Sequence, residues 1–137
     1  MPGISVKLPL SIDDQDGPYV LHKGIKSMIK QNLKMLIMTI PGERIMDPSF
    51  GVGPQRFLFE NDTVELRAKL SERISRQVRR YMPFLKVKEA ILPNFSETAP
   101  GLQQKIHISI RYSIEDLAEE DVLNISLSPY DSGENVF

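Results

Sequence analysis

Between two stretches of helical apolar periodicity lies the segment Thr39-Ile40-Pro41-Gly42-Glu43-Arg44-Ile45-Met46-Asp47-Pro48-Ser49-Phe50-Gly51-Val52-Gly53, and it limits the fold more than any other part of the chain. Pro41 has no N–H to donate and disfavours helical geometry in the residue before it, so the preceding helix must stop at Ile40. Gly42 supplies the positive φ that a Pro-Gly turn of type II requires. Glu43-Arg44 follows, with Ile45 and Met46 expected to tuck inward, and Asp47-Pro48-Ser49 makes a second turn ahead of Phe50 and the glycines. A compact, packed loop that is held rigid is the expected result.

The helices on either side are legible from their spacing. From His22 to Thr39, Ile25, Met28, Ile29, Leu33, Leu36 and Ile37 recur at three- and four-residue steps, giving one apolar face with lysines opposite. A second helix is expected to begin at Asp62-Thr63-Val64-Glu65, with Asp62 as cap and Glu65 reaching back as in a capping box. Its buried stripe is Leu66, Leu70, Ile74, Val78 and Tyr81, and Pro83 closes it. Glu72 and Arg76, four apart, should pair on another face.

The remainder reads as strands. Ile4, Val6 and Leu8 alternate with polar residues, the period of a half-buried strand, and residues 1–20 form an arm or edge strand that ends in the polar turn Asp13 to Pro18. Leu85, Val87, Glu89 and Ile91 alternate with Lys86, Lys88 and Ala90. A loop from Pro93 to Gly101 follows, then Ile106, Ile108, Ile110, Tyr112 and Ile114 alternate with Lys105, His107, Ser109, Arg111 and Ser113. A third strand, Val122 to Leu127, sets Leu123, Ile125 and Leu127 on one side after an acidic approach, Glu115 to Asp121, that is turn-like or briefly helical. The tail, residues 128–137, is expected to be mobile or ordered only by a partner. The fold class is therefore α+β: two main helices on one face of a small antiparallel sheet, in a single domain over residues 1–137. Such a sheet leaves open edges, a hazard in a monomer and an asset where another chain adds a strand.

With 137 residues the chain is long enough for one core without staples, and it contains no cysteine, so disulfides, thiolate chemistry and most zinc sites are excluded. The net charge of −1 gives no global reason to expect nucleic acid. The charge is uneven, however. Arg67, Lys69, Arg73, Arg76, Arg79, Arg80, Lys86 and Lys88 crowd the middle, while no Lys or Arg follows Glu115. Opposed patches suit hetero-assembly, and solvated helix faces explain them equally. The N-terminus lacks the features of a signal peptide, and the apolar run Met35 to Met38 is too short to span a bilayer, so a soluble protein without a membrane partner is expected.

Candidate chemistry is sparse. Gly51-Val52-Gly53-Pro54 invites a phosphate-loop reading, but no Lys-Ser/Thr follows and Pro54 removes an N–H, so a packing turn fits better. His22 and His107 are the only histidines and sit on different elements, so no metal or cofactor is expected. Glu43, Asp47, Glu60 and Asp62 lie near the connector and could form an acid/base pair of the glycosidase type, yet no motif fixes their separation. The arginine-rich second helix carries one aromatic, Tyr81, which belongs to the apolar stripe, so nucleic acid is not an expected partner. Glu43-Arg44 is either a local clamp or a docking contact, and both readings stay open.

The order and spacing of Leu36-Ile37-Met38-Thr39, Pro41-Gly42-Glu43-Arg44, Met46-Asp47-Pro48-Ser49-Phe50-Gly51, Phe57-Leu58-Phe59-Glu60 and Arg80-Tyr81-Met82-Pro83 resemble the baseplate wedge, or sheath-initiator, family of contractile phage tails. That family includes the small baseplate subunit of type VI secretion systems, and the resemblance covers roughly residues 20 to 92. Where the family has Glu-Pro-Arg after an aromatic residue, this chain has Met82-Pro83-Phe84 after Tyr81, which makes any contact there more apolar. The resemblance implies a non-enzymatic structural subunit of a virion tail baseplate, assembled in the host cytoplasm, that helps initiate the sheath by strand addition. The implied partners are larger wedge proteins, the sheath protein, and tube or hub proteins. Implied docking positions are Pro41, Gly42, Glu43, Arg44, Tyr81, Pro83 and Phe84, and the strands expected to accept a partner carry Ile106, Ile108, Ile110, Leu123, Ile125 and Leu127. The rival reading is a lysozyme-like glycoside hydrolase acting on the cell wall.

Overall fold

A computed structural model describes residues 3–12, 17–57, 60, 63–92 and 106–127. The expected tail, the loop after Pro93 and the proposed cap Asp62 lie outside the described residues. Helix α1 spans Ile25–Met38 and helix α2 spans Val64–Tyr81; strands β3 (Leu85–Ile91), β4 (Ile106–Ile114) and β5 (Glu119–Leu127) follow, and two-residue strands β1 (Ser5–Val6) and β2 (Leu21–His22) precede α1. The α+β class holds, with both helices and the antiparallel sheet in the expected order.

The core forms between the helices and one face of the sheet. Ile29, Leu33, Leu36 and Ile37 from α1 meet Leu66, Leu70, Ile74 and Val78 from α2 and the inward residues of β4 and β5, all buried. Alternation in β4 is complete: Ile106, Ile108, Ile110, Tyr112 and Ile114 are buried, while His107 and Arg111 face solvent. This is the pattern of a sheet with one covered and one wet face.

Strand order is β3-β4-β5, antiparallel throughout. β4 is thus the central strand, with a ladder on each side. Ile110 therefore offers no open edge, which corrects the expectation that it accepts a partner; the β3 ladder ends with Ile91 opposite Ser109, so Ile106 and Ile108 pair with β5 alone among the described residues, and β5 with Leu123, Ile125 and Leu127 is an edge strand there. A register shift between Val87 and Glu89 also breaks the expected alternation in β3. The bulge exchanges faces beyond it, leaving Lys88, Glu89 and Ile91 exposed and Ala90 half-buried.

β5 begins earlier than expected. The turn is confined to 115–118, with Ala118 at φ +48, and Glu119, Glu120 and Asp121 already belong to the strand. Basic partners make this possible: Lys26 and Lys30 of α1 pair with Glu119 and Asp121, and Lys88 of β3 pairs with Glu120. The Lys30 Nζ to Asp121 Oδ1 distance is 3.5 Å.

The arm departs from expectation in its orientation. β1 pairs with β2, so His22 is a strand residue and not the start of α1. Gln31 fastens the arm to α1: its Oε1 accepts from Leu8 N–H at 2.9 Å and lies 2.7 Å from His22 Nε2, and its Nε2 donates to Val6 O at 3.0 Å. His22 is consequently buried, while Ile4 and Val6, expected to be half-buried, face outward.

α2 is capped by Thr63, whose side chain accepts from Leu66 N–H at 3.2 Å. The cap is one residue later than the reading that used Asp62. Glu65 in the first turn and Arg79 and Arg80 in the last complement the helix dipole. Glu72 and Arg76 pair as expected, 2.5 Å apart on the exposed face.

Candidate functional site

The connector folds back over the end of α1 and uses its free carbonyls. The last four carbonyls of a helix lack intrahelical partners; here Met35 O accepts from Thr39 N–H (3.0 Å) and Thr39 Oγ1 (2.6 Å), Leu36 O from Val52 N–H (3.2 Å), Ile37 O from Gly53 N–H (3.2 Å) and Met38 O from Gln55 Nε2 (2.9 Å). All four are satisfied from the same short segment. The phosphate-loop reading ends here, because the amides of Val52 and Gly53 are committed to the helix.

The Pro-Gly turn forms as expected. Gly42 has φ +91, Glu43 N–H donates to Ile40 O at 3.0 Å, and Gly42 N–H donates to Pro48 O at 2.8 Å, joining the first turn to the second. Glu43 Oε2 accepts from Ile40 N–H at 3.2 Å, and Arg56 Nη2 donates to Pro41 O at 2.8 Å. Glu43 thus bonds back to the start of its own turn. Arg44 does not pair with it but lies over the Phe50 ring, 3.8 Å from the centroid.

α2 holds the second turn. Gly51 N–H donates to Gln77 Oε1 at 3.1 Å and Gln77 Nε2 donates to Ser49 O at 3.0 Å, with Gln77 buried. Tyr81 OH donates to Asp47 Oδ2 at 2.7 Å and lies 3.1 Å from Ser49 Oγ, and the rings of Phe50 and Tyr81 meet edge-to-face at 4.8 Å. Sequence reasoning missed Gln77. The signal was present, since Gln77 falls three residues after Ile74 and four before Tyr81, a polar residue on an apolar stripe.

Ile45 and Met46 do not tuck inward. They are 95% and 96% exposed. Turn closure by Gly42 and Pro48 leaves them at the outer bend, and the space beneath is filled by Phe50 and Tyr81.

Of the implied docking residues, Arg44, Tyr81 and Phe84 line one groove of about 310 Å³, together with Asn32, Met35, Leu36, Phe50 and Met82. Pro83 lines a separate hollow with Arg79, Leu85 and Lys86. Pro41, Gly42 and Glu43 serve the turn itself. The structure thus gathers three of the implied positions and places the other four elsewhere.

The site has little equipment for hydrolysis. Hydrogen bonds from Tyr81 and Ser49 hold the Asp47 carboxyl below the usual carboxylate range, the reverse of what a general acid needs at neutral pH. Asp62 lies outside the described residues. No group of three or more His, Asp or Glu side chains that could hold a metal ion occurs among the described residues. No described helix is long and apolar enough to cross a membrane.

Residues 24–118 match the family model described as baseplate wedge protein gp25. The chain belongs to this family. Among solved structures, the chain is similar to one from the cryo-EM baseplate of the anti-feeding prophage, with 31% identity over 80% of this chain and 83% of that one and a TM-score of 0.66. It also resembles a Geobacter sulfurreducens protein described as a candidate tail lysozyme, at 18% identity over 82% of this chain and 98% of that one, again with a TM-score of 0.66. At that identity the second likeness speaks to the fold alone. No curated protein matches. Membership of the gp25 family makes this chain a structural component of a contractile-tail baseplate.

Proposed function

We propose that this gp25-family chain initiates the tail sheath, by accepting a strand of the first sheath ring on its sheet, and docks on larger wedge proteins through the connector face. The observation that carries strand addition is the position of β5 at the edge of the sheet, with one side of its backbone ladder without a strand partner among the described residues. Backbone hydrogen bonds along such an edge supply affinity, and alternating side chains supply register. Docking is supported by the groove beneath Arg44, whose Phe84 is 38% exposed at the position where the family has a charged residue.

In this reading the chain is non-enzymatic, resides in the virion tail and assembles in the host cytoplasm. Its partners are wedge proteins and the sheath protein, with tube or hub proteins adjoining. Electron microscopy of particles assembled without the chain tests the initiator role: wedges that fail to nucleate sheath are expected, and tails of normal appearance would overturn it. Phe84→Ala is expected to weaken capture of wedge proteins with folding intact; undiminished binding would remove this face from the docking surface.

A further inference from the structure

The β5 edge is not equally open along its length. Val122 N–H points away from β4 and is taken by the Asp121 carboxylate, with Oδ1 at 2.8 Å. By the two-residue period of a strand, the N–H groups of Asn124 and Ser126 point to the same side, and no further strand covers them among the described residues. Asp121 shares the covered face with its cross-strand partner Tyr112, whose OH donates to Oδ2 at 3.2 Å, while Lys30 Nζ of α1 lies 3.5 Å from Oδ1. Burial favours the neutral acid, but Val122 N–H, Lys30 and Tyr112 outweigh it and hold the Asp121 carboxyl below its ordinary range, so the group is charged at neutral pH. An inward-placed charge is one way in which proteins blunt an edge strand. Here the charge is also turned onto the edge itself.

We propose that Asp121 is a removable plug on the β5 edge, confining pairing to the Asn124–Leu127 stretch and keeping free copies of this chain from joining edge to edge until an incoming strand displaces the carboxylate from Val122. An added strand must bring a carbonyl oxygen to Val122 N–H, where the carboxylate already stands, and the two oxygens repel. The stretch beyond the plug offers few ladder bonds, too few to hold two copies together; an isologous pair would also carry the obstacle twice. The plug can swing aside without stranding a charge, because Lys30 and Tyr112 remain as partners. β3 is guarded by other means: the bulge between Val87 and Glu89 is part of the backbone course, and Lys86 and Lys88 are tied to Glu115 and Glu120. Only the β5 guard is a single side chain that can turn away. The inference rests on the reading of β5 as the accepting edge and adds how that edge is kept closed before a strand arrives.

Analytical ultracentrifugation of the purified full chain reads the plug directly. Asp121→Ala, and Asp121→Val with a better strand former in place, should self-associate at least about tenfold more tightly than wild type, the scale set by losing a competing hydrogen bond to a charged group. Asp121→Asn keeps an oxygen for Val122 N–H and should stay nearer wild type. Adding Asn124→Pro, which withdraws an outward donor that an edge strand can spare, should return Asp121→Ala to the monomer and so tie association to β5. At concentrations below association, hydrogen exchange at the Val122 amide should quicken in Asp121→Ala while the Ile108 and Ile110 amides of β4 stay protected. Alanine and valine variants as monomeric as wild type would overturn the inference, as would association that survives Asn124→Pro or Val122 exchange indifferent to Asp121→Ala. Tails that sheathe normally with Asn124→Pro would instead overturn the accepting-edge reading alone, and the plug, measured on the free chain, would stand as a guard against self-pairing.

Discussion

Gln77 holds Gly51 from across the interface: its Oε1 accepts the Gly51 N–H at 3.1 Å while its Nε2 donates to Ser49 O at 3.0 Å. One buried amide therefore satisfies two backbone groups of a segment that is also capping α1. Gln77→Leu fills a similar volume but leaves both groups without partners. An unsatisfied buried polar group costs about 1–3 kcal/mol, so urea denaturation should register a loss in that range for this variant. A change under about 0.5 kcal/mol, the usual scatter for surface substitutions, would mean that water replaces the amide.

Gly42 and Gly51 separate two sources of strain. Both have positive φ, +91 and +109, but a Cβ at Gly42 meets nothing within 4 Å, whereas one at Gly51 falls 2.1 Å from Thr39 O. Gly42→Ala should cost the backbone term alone, about 1–3 kcal/mol. Gly51→Ala adds a clash with the carbonyl of the residue capping α1 and should exceed about 3 kcal/mol or prevent folding. Equal melting temperatures for the two variants would contradict this ordering.

The sequence was informative wherever one period dominated. The stripes of α1 and α2 and the alternation of β4 survive in the structure almost residue for residue, because each buries one face in the common core. It was uninformative where the outcome depended on contacts distant in sequence. Glu119 to Asp121 look like a polar turn until Lys26, Lys30 and Lys88 are brought beside them. Ile45 and Met46 look like core residues until Phe50 and Tyr81 occupy the space. The bulge at Val87 and the central position of β4 leave no local trace, since register and strand order are set by pairing. Gln77 was legible and overlooked.

Acid should loosen the connector. Hydrogen bonds from Tyr81, then from Ser49, hold the Asp47 carboxyl below its ordinary value of about 4. A folded-state value below the unfolded one means that the contribution to stability is complete above the unfolded pKa and is lost as pH falls through the folded one. Tyr81→Phe removes the leading hydrogen bond. The stability difference between wild type and Tyr81→Phe, from denaturation curves between pH 7 and pH 2, should be constant above about pH 5 and shrink below about pH 4. A difference independent of pH across this range would show that the hydroxyl acts through Ser49 alone.

The β5 edge allows strand addition to be tested without unfolding the sheet. Val122 N–H donates to its neighbour Asp121 Oδ1 at 2.8 Å, so it points away from β4. By the two-residue period of a strand, the N–H of Asn124 points the same way. Proline is tolerated on an edge strand where the missing N–H faced outward, and is not tolerated where it belonged to the ladder. Asn124→Pro should therefore fold with β4 still paired. Both Asn124→Pro and the control Asn124→Ala lose the bond from Ser109 Oγ, 2.7 Å in the native protein, but only the proline removes the outward donor. If β5 receives a sheath strand, tails assembled with Asn124→Pro should show fewer sheathed particles by electron microscopy, with Asn124→Ala near wild type. Sheath formation equal in the two variants, with both folded by circular dichroism, would exclude this stretch of β5 as the accepting edge and turn attention to the β3 side of the sheet, as far as the described residues go.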